Sequence, residues 1–248
     1  MQTLKWWLTG LLILSCCMAL NAKEVTLTSM SYPPFYGEKL ENNGPLIEVI
    51  VQSFKNAGYK TRIIFAPWKR AITIARQGKT ADGMVGVWHN KERANDFLYS
   101  DPIFPNKVGF YKHKSNAIIF ENYTDLVSKG YKLGSVRGYI FPKGLKESGI
   151  EIELVTDDLQ NLKKLALGRV DLVVVDKDYA RFILTDNPQV AKEIEWMGPI
   201  LAEFQQHLII SRKTPNALKT ISDFNKGLRI LQQTGDFKKI FKKHGLRL

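Results

Sequence analysis

The succession of a helix, a glycine and an aspartate-led apolar strand occurs twice in this chain and limits the folds open to it. The two copies read ARQGKTADGMVGV, from Ala75 to Val87, and LALGRVDLVVV, from Leu165 to Val175. A glycine that ends a helix shortly before a buried strand is typical of chains in which helices and strands alternate. We therefore predict two similar α/β lobes, one in each half of the chain.

Hydrophobic periodicity extends this alternation over most of the sequence. The predicted strands are Glu24–Ser29, Lys60–Phe65, a strand that starts near Asp82, Lys132–Val136, Ile150–Val155 and Asp171–Val175. The predicted helices are Pro45–Ala57, Arg70–Gln77, Phe141–Lys146, a helix capped by Asp157 or Asp158 and ended by Gly168, a helix that starts at Thr214–Pro215, and a basic helix after Gly235.

Two extended segments connect the halves, Asn106–Lys112 on the way out and Gln206–Ser211 on the way back. They predict a first lobe from residues 23–111 and 207–248, a second lobe from residues 112–206, and a hinge of two strands. Ligands of open α/β sheets bind at the carboxyl ends of the strands. We therefore expect a cleft that holds a ligand between the lobes and closes over it.

The N-terminal segment differs in composition from the rest of the chain. Lys5 is the only charged residue among residues 1–22. The apolar run of 15 residues that follows it, from Trp6 to Leu20, is short for a membrane span. The small residue Ala22 suits a signal peptidase. We interpret residues 1–22 as a signal peptide cleaved near Ala22, which predicts a periplasmic protein. An anchor helix is one alternative, and Cys16 and Cys17 make a lipoprotein another.

Composition limits the partners. Both cysteines lie within residues 1–22, so the predicted mature protein has none and depends on an ordinary hydrophobic core. The formal net charge of +12 often indicates nucleic-acid binding, but export argues against nucleic acid as a partner. The basic residues are scattered except for a C-terminal cluster: Lys238, Lys239, Lys242, Lys243, His244 and Arg247. We interpret this cluster as the solvated face of a helix, with a docking patch as the alternative.

The sequence contains none of the common motifs for catalysis or metal binding. The four histidines are widely spaced and have no HExxH pattern or paired cysteines beside them, so no metal site is predicted. The chain has no GxSxG elbow, no Walker P-loop and no GxGxxG after a strand. The acidic pair Asp157 and Asp158 is interpreted as a helix cap and not as an acid–base couple. We therefore predict a binding protein without catalytic residues and without a cofactor.

Several short motifs, taken in order, resemble one protein family. They are Tyr32-Pro33-Pro34-Phe35, Gly44 with Glu48, Trp68, Glu92-Arg93 with Ser100-Asp101-Pro102, Leu133-Gly134 with Gly138, and Gly168-Arg169-Val170-Asp171 up to Asp176. Over the whole predicted mature chain, this order resembles the bacterial extracellular solute-binding proteins of family 3. That polar amino acid type includes the lysine/arginine/ornithine- and glutamine-binding proteins. The resemblance implies a two-lobed periplasmic-binding-protein type II fold, with two Rossmann-like lobes joined by a two-strand hinge.

The resemblance also implies roles for single residues. Arg93 stands where the family's arginine binds the ligand α-carboxylate through a rigid fork, and Asp176 stands where a carboxylate receives the α-ammonium group. Tyr32 and Trp68 match the aromatic residues that enclose the ligand side chain. The further ligand-binding candidates are Phe35, Trp88, Arg137 and Tyr139. From the residues alone, Arg93 also fits an exposed surface arginine, and Asp176 also fits a cap on a helix at Lys177–Leu184.

The chain departs from the family pattern around the expected carboxylate site. Trp88 stands ahead of Arg93, and Tyr139 follows Gly138, at places where amino acid binders of the family carry Ser or Thr. We therefore expect a ligand that is larger or more aromatic than a standard L-amino acid.

The resemblance implies a monomeric protein that captures a small polar solute, an amino acid or a related carboxylate. Its expected partner is an ABC permease or a sensor in the inner membrane. Two alternatives remain open at this point. One is an enzyme on the same scaffold, similar to cyclohexadienyl dehydratase, and the other is a ligand-sensing input module without transport. Turnover of arogenate or prephenate would favour the enzyme.

Overall fold

The computed structural model describes residues 23–246, so the predicted signal peptide lies outside the described residues. Within residues 23–246 the chain forms nine β-strands: β1 Lys23–Ser29, β2 Tyr59–Phe65, β3 Gly83–Trp88, β4 Phe97–Tyr99, β5 Phe104–His113, β6 Lys132–Val136, β7 Glu151–Val155, β8 Leu172–Asp176 and β9 Ile194–Ser211. The same residues form eight α-helices: α1 Pro45–Asn56, α2 Trp68–Gln77, α3 Tyr123–Ser128, α4 Asp158–Ala166, α5 Lys177–Thr185, α6 Pro188–Ala191, α7 Ala217–Thr234 and α8 Asp236–Lys243.

One path of hydrogen-bonded strands runs through the described chain in the order β2-β1-β3-β9-β5-β8-β6-β7, and β4 pairs with β9. β1 is parallel to β2 and β3, while β6 is parallel to β7 and β8. The long strands β5 and β9 lie antiparallel to each other between these two sets. We call β1–β4 with α1, α2, α7 and α8 the first lobe, and β6–β8 with α3–α6 the second lobe. Strands β5 and β9 extend into both.

Each lobe has its own apolar core. In the first lobe, α1 places Ile47, Ile50 and Phe54 on one buried face because these residues recur at helical spacing. They belong to one cluster with Leu27 of β1 and Phe224 of α7. The second lobe buries a separate cluster, which includes Val108, Phe110, Leu126, Leu133 and Leu172. A further cluster packs in each lobe, and these separate cores, with strands shared between them, give the protein two lobes.

Most predicted helices and strands are present, with ends shifted by a few residues. The short helix predicted at Phe141–Lys146 is wrong, because this segment forms turns. Gly144, in the middle of the predicted helix, has a φ of +82°, outside the helical region. Strand β4 and helices α3 and α6 escape prediction from periodicity because each is only three to six residues long.

The C-terminal helix α8 has an apolar face and a basic face. Phe237, Ile240 and Phe241 are buried in the core of the first lobe, whereas the lysines of the predicted basic cluster are exposed. Lys243 lies 3.2 Å from Glu48 at the edge of this exposed face. The four lysines of the cluster therefore form a solvated face, whereas His244 lies 2.8 Å from Glu48 with its side chain nearly buried, and Arg247 lies outside the described residues. Among residues 23–246, no helix combines the length and the hydrophobicity that a membrane crossing requires.

Candidate functional site

The candidate site is built at the carboxyl ends of the parallel strands of both lobes. In the first lobe, Met30 follows β1, Trp68 follows β2 and Arg93 follows β3. In the second lobe, Tyr139 follows β6 and Asp158 follows β7. The loops after parallel strands meet at one edge of a sheet, and residues from both sets of loops border the same cavities. The site is therefore a cleft between the lobes.

A central cavity in this cleft is narrow, with a volume of about 30 Å³, and is partly open to solvent. Its wall is mostly aromatic or apolar and comes from both lobes: Met30, Tyr32, Tyr36, Trp68, Gly86, Trp88, Arg93, Gly138, Tyr139, Ile140 and Gln206. Among these lining residues, Arg93 alone carries a formal charge at neutral pH. The central cavity thus combines one positive group with broad aromatic surfaces.

The guanidinium of Arg93 is half-buried and touches both lobes. Its Nη1 donates to the Trp88 carbonyl oxygen at 3.4 Å, and its Nη2 donates to the Gly138 carbonyl oxygen at 3.1 Å. Its Cζ lies 5.0 Å from the centre of the Trp68 ring, within the range of a cation–π contact. Burial lowers the pKa of Arg93, but a guanidinium remains protonated at physiological pH. Two neutral carbonyls leave its positive charge uncompensated at the cavity wall.

Side chains of β5 and β9 hold the ring of Trp88 in place. Its Nε1 donates to Oδ1 of Asn106 at 2.9 Å, and the side-chain amide of Gln206 donates to the same oxygen. On its other side the ring stacks on Phe204, with 4.7 Å between the ring centres and 18° between the planes. Strands β5 and β9 therefore orient an aromatic residue that belongs to the first lobe.

Strand β3 contains a bulge that makes room for a tyrosine of the cavity wall. The register between β3 and β9 shifts between Val85 and Val87, and Gly86 between them has a φ of +79°. A Cβ atom on Gly86 would lie 2.9 Å from a carbon of the Tyr36 ring. The Tyr36 hydroxyl donates to the Gly86 carbonyl oxygen at 3.1 Å. Only glycine at this position lets Tyr36 line the central cavity in this way.

A second cavity, which we call the acidic cavity, adjoins the central cavity and shares Met30, Trp68 and Tyr139 with it. It is wider, with a volume of about 430 Å³, and is also partly open to solvent. The rest of its wall consists of Ser31, Glu38, Phe65, Ala66, Pro67, Val136, Thr156, Asp157, Asp158 and Tyr179. The wall contains three acids and, among the residues that border it, no Lys, Arg or His.

Asp158 is the most deeply buried acid of this wall, at 1% exposure. Its Oδ2 accepts a hydrogen bond from the Tyr139 hydroxyl at 2.9 Å, whereas Oδ1 has no hydrogen-bond partner among the described residues. Burial raises the pKa of Asp158 to about 7, the hydrogen bond from Tyr139 lowers it, and the charges of Asp157 and Asp176 raise it. Asp157 itself is exposed and accepts from the Gln160 backbone N–H at 2.9 Å, so it caps α4 as predicted.

Asp176 ends β8 and borders neither the central nor the acidic cavity. Its Oδ1 accepts from the Tyr179 backbone N–H at 2.7 Å and caps α5, which is the alternative that the sequence left open. The ring of Tyr179 stacks on the ring of Tyr32 with 3.9 Å between centres. Burial raises the pKa of Asp176 to about 7, the Tyr179 N–H lowers it, and the charge of Asp178 raises it.

The other predicted site residues fall into two groups. Those that border the central cavity together with Arg93 are Tyr32, Trp68, Trp88 and Tyr139. Phe35 and Arg137 do not border it. Phe35 is buried in the core and packs on Phe104 with 5.1 Å between ring centres, and Arg137 is exposed. The structure therefore gathers one arginine and four of the five predicted aromatic residues, and a ligand contact of any of them stays a prediction.

Comparison with known protein families and solved structures agrees with the two-lobed architecture. Residues 25–247 match the bacterial extracellular solute-binding proteins, family 3. This chain belongs to that family. The match covers almost the whole described part of the solute-binding protein and confirms the resemblance of its motifs. No curated protein matches it in sequence.

Solved structures share the fold of this family 3 protein at low sequence identity. A histidine kinase sensor domain with similarity to periplasmic binding proteins superposes with a TM-score of 0.77 at 19% identity, over 89% of this chain and 95% of that chain. The arginine-, lysine-, histidine-binding protein ArtJ from Geobacillus stearothermophilus gives 0.72 at 19%, over 89% and 94%. The GluR0 ligand-binding core from Nostoc punctiforme, in complex with L-glutamate, gives 0.71 at 19%, over 88% and 98%. The protein has the two-lobed periplasmic-binding-protein type II fold.

Sequence reasoning missed two polar residues in the cleft of this solute-binding protein, Asp158 and Gln206. For Asp158 a signal exists, because β7 ends at Val155 and the next three residues occupy the carboxyl edge of a parallel sheet. Because Asp157 caps α4, the carboxyl group of Asp158 is not needed as a cap and can form part of the cleft wall. Gln206 lies within the 18-residue strand β9, and nothing in the local sequence separates it from its neighbours.

The buried carboxyl group of Asp158 predicts a pH-dependent cost of folding. Its folded pKa of about 7 lies above the value of about 4 for an unfolded chain, so the folded state binds more protons between these values. Its contribution to the free energy of unfolding therefore falls as the pH rises through this window and stays low above it. We expect Asp158→Asn to stabilise the protein by an amount that grows by about 2 kcal/mol from pH 5 to pH 8, measured by urea unfolding.

The comparison of variants isolates this contribution from other titrating groups. His207, whose pKa is lowered by burial, changes the stability of all variants equally. Asp186→Asn is the matched control, because Asp186 is exposed and its charge is not among those that act on Asp158. Its effect on stability should not depend on pH in this window. A difference between wild type and Asp158→Asn that is constant from pH 5 to pH 8 contradicts the prediction.

Proposed function

We propose that this family 3 protein is a periplasmic solute-binding protein that captures a small polar ligand, an amino acid or a related carboxylate, for an ABC importer. One observation carries the proposal. Arg93 presents a half-buried guanidinium at the wall of the central cavity, and within residues 23–246 no carboxylate accepts a hydrogen bond from it. A fork of N–H donors in a partly desolvated, aromatic site fits a carboxylate.

We propose that the ligand is enclosed by closure of the cleft. Contacts across the cleft support this, because Arg93 donates to Gly138, Tyr32 stacks on Tyr179, and the Trp88 ring lies 6.1 Å from the Tyr139 ring. A ligand that touches both walls would favour the closed arrangement by its own contacts. The lobes divide, in this proposal, into residues 23–111 with 207–248 and residues 112–206.

The experiment that tests the proposal is a thermal-shift screen against L-amino acids, polyamines and organic acids. A ligand at a hundred times its Kd stabilises the folded state by about 2.7 kcal/mol, which raises Tm by about 5 °C or more for a protein of this size. Small-angle X-ray scattering with and without that ligand then measures closure as a decrease in the radius of gyration. Failure of every compound class to raise Tm would overturn the proposal.

A sensing role is the second candidate, because a histidine kinase sensor domain is among the structures that share this fold. Both roles require ligand binding, so binding does not distinguish them. Uptake of the labelled ligand by cells that carry or lack the gene does. Loss of uptake on deletion supports the importer, whereas unchanged uptake with a lost transcriptional response supports the sensor.

We further propose that the protein acts as a monomer, is exported by cleavage near Ala22, and is not an enzyme. The family description and the amino-acid-binding neighbours support binding without turnover. Incubation with arogenate or prephenate, followed by NMR, tests the enzyme alternative. Appearance of a dehydrated product would replace the binding role by a catalytic one.

A further inference from the structure

We propose that Asp158, and not Asp176, receives the cationic group of the ligand, so that the ligand is an extended zwitterion. In such a ligand several atoms separate the ammonium group from the carboxylate, as in an ω-amino acid. This inference rests on the proposed function, because it places the carboxylate at Arg93.

Asp158 offers an unused acceptor at the wall of a cavity. It is 1% exposed, and one of its carboxylate oxygens is bonded to the Tyr139 hydroxyl while Oδ1 has no partner among the described residues. A buried polar atom without a partner costs free energy, and native proteins retain such atoms mainly where they act. Asp158 borders the acidic cavity, so a ligand ammonium group placed there would supply the missing donor.

The charge of the surrounding wall selects a cation. Glu38, Asp157 and Asp158 border the acidic cavity, and none of the residues that border it is basic, in a chain whose formal net charge is +12. Neither Asp157 nor Asp158 forms a hydrogen bond to Lys or Arg in the described structure. An excess of acids without counter-ions attracts a positive group and repels a second carboxylate.

Asp176 differs from Asp158 in its position relative to the cavities. Like Asp158 it is 1% exposed and has one oxygen, Oδ2, without a hydrogen-bond partner among the described residues, but it borders neither cavity, and its Oδ1 caps α5. The Tyr32 and Tyr179 rings, stacked 3.9 Å apart, join the two lobes beside this cap. Asp158, in contrast, belongs to the wall of the acidic cavity.

The central and acidic cavities adjoin, and this sets the shape of the ligand. They share Met30, Trp68 and Tyr139, with Arg93 at the central cavity and Asp158 at the acidic one. The shared walls are apolar or aromatic and suit a methylene chain. A compound with a carboxylate at one end, a chain in the middle and an ammonium group at the other end matches this order of groups.

Four six-carbon compounds isolate the two ends of such a ligand. Caproate has the carboxylate alone, L-norleucine adds the α-ammonium, ε-aminocaproate adds the ε-ammonium, and L-lysine has both. We expect ε-aminocaproate to bind at least about tenfold more tightly than caproate, since a charge-assisted hydrogen bond in a desolvated site contributes about 1.5 kcal/mol or more. We expect L-norleucine to gain little over caproate. The shorter γ-aminobutyrate and δ-aminovalerate test the length. Isothermal titration calorimetry gives each Kd.

Variants assign the preference to one acid. Asp158→Asn retains the shape and the acceptor for Tyr139 but removes the charge, and it should abolish the preference for ε-aminocaproate over caproate. Asp176→Asn, which retains the cap, should leave that preference unchanged. Asp186→Asn controls for the loss of one negative charge in the same lobe and should leave the preference unchanged, because Asp186 is exposed and borders neither cavity.

The outcomes separate this inference from the proposed function. If L-norleucine or caproate binds and no ω-amino acid binds more tightly, the inference is overturned while the carboxylate site stands. The same holds if the preference exists but Asp176→Asn, and not Asp158→Asn, removes it. If none of these compounds binds and the broad screen also fails, both are overturned. If only compounds outside the carboxylate and ω-amino classes raise Tm, the extended zwitterion is wrong.

Discussion

Replacement of Arg93 by alanine should reduce the affinity for any carboxylate ligand about a hundredfold or more. The guanidinium is half-buried in an aromatic wall, where water competes little for its donors. Loss of one partner of a buried, hydrogen-bonded charge pair costs about 2 to 5 kcal/mol, because the other charge stays desolvated. The measurement is the Kd of the best ligand from the thermal-shift screen, determined by calorimetry for wild type and Arg93→Ala.

Two variants make the Arg93 experiment decisive. Arg137→Ala removes an arginine of the neighbouring lobe that is exposed and borders neither cavity, so its affinity should equal that of wild type. Arg93→Lys retains the charge but lacks the planar fork, and it should recover only part of the affinity. All three variants should melt within a few degrees of wild type without ligand. Equal affinity of Arg93→Ala and wild type would show that the carboxylate lies elsewhere.

Replacement of Gly227 by alanine should destabilise the protein by about 2 kcal/mol or more, although alanine is the better helix former. Gly227 lies within α7, where the exchange alone would favour the helix by about 1 kcal/mol. A Cβ atom there would lie 2.7 Å from the carbonyl carbon of Ser53 in α1, however. Two helix backbones meet at this point, so no flexible side chain can move aside, and overpacking outweighs the propensity.

Thermal unfolding measures the Gly227 effect as a decrease in Tm of about 4 °C or more. Gly37→Ala is the matched exchange, because the nearest atom to its Cβ, in Ser31, lies 3.5 Å away and the φ of Gly37 is outside the left-handed region. That variant should melt within about 1 °C of wild type. A Gly227→Ala protein that is more stable than wild type would show that α1 and α7 are not packed this closely.

The two-lobed α/β architecture follows from sequence because its signals are local and repeated. Glycines at Gly78 and Gly168 end helices in the structure at the places that the pattern predicts, and both are followed by buried strands. The first of these glycines adopts the left-handed conformation with a φ of +63°. The segment at Phe141–Lys146 fails the same reasoning, because Gly144 has a φ of +82° in the middle of the predicted helix and the segment forms turns.

The cleft is harder to predict than the fold because its properties arise from residues far apart in sequence. Motif order singles out Arg93 and Trp68, and both border the central cavity. It does not reveal that Tyr32 stacks on Tyr179, since that contact depends on how the lobes meet. The same limitation applies to Asp158, which is buried and accepts a hydrogen bond from Tyr139, a residue 19 positions away in the chain.

The pairing of β5 with β9 has a mechanical consequence. Backbone hydrogen bonds join the two strands along most of β5, from Phe104 to His113, and β9 continues into the first lobe as far as Ser211. Sliding of one lobe past the other would break this ladder one bond after another, whereas bending across the two strands keeps it intact. We therefore expect the lobes to rotate apart about the β5–β9 pair, so that a solute leaves on the side of the cleft that faces away from these two strands.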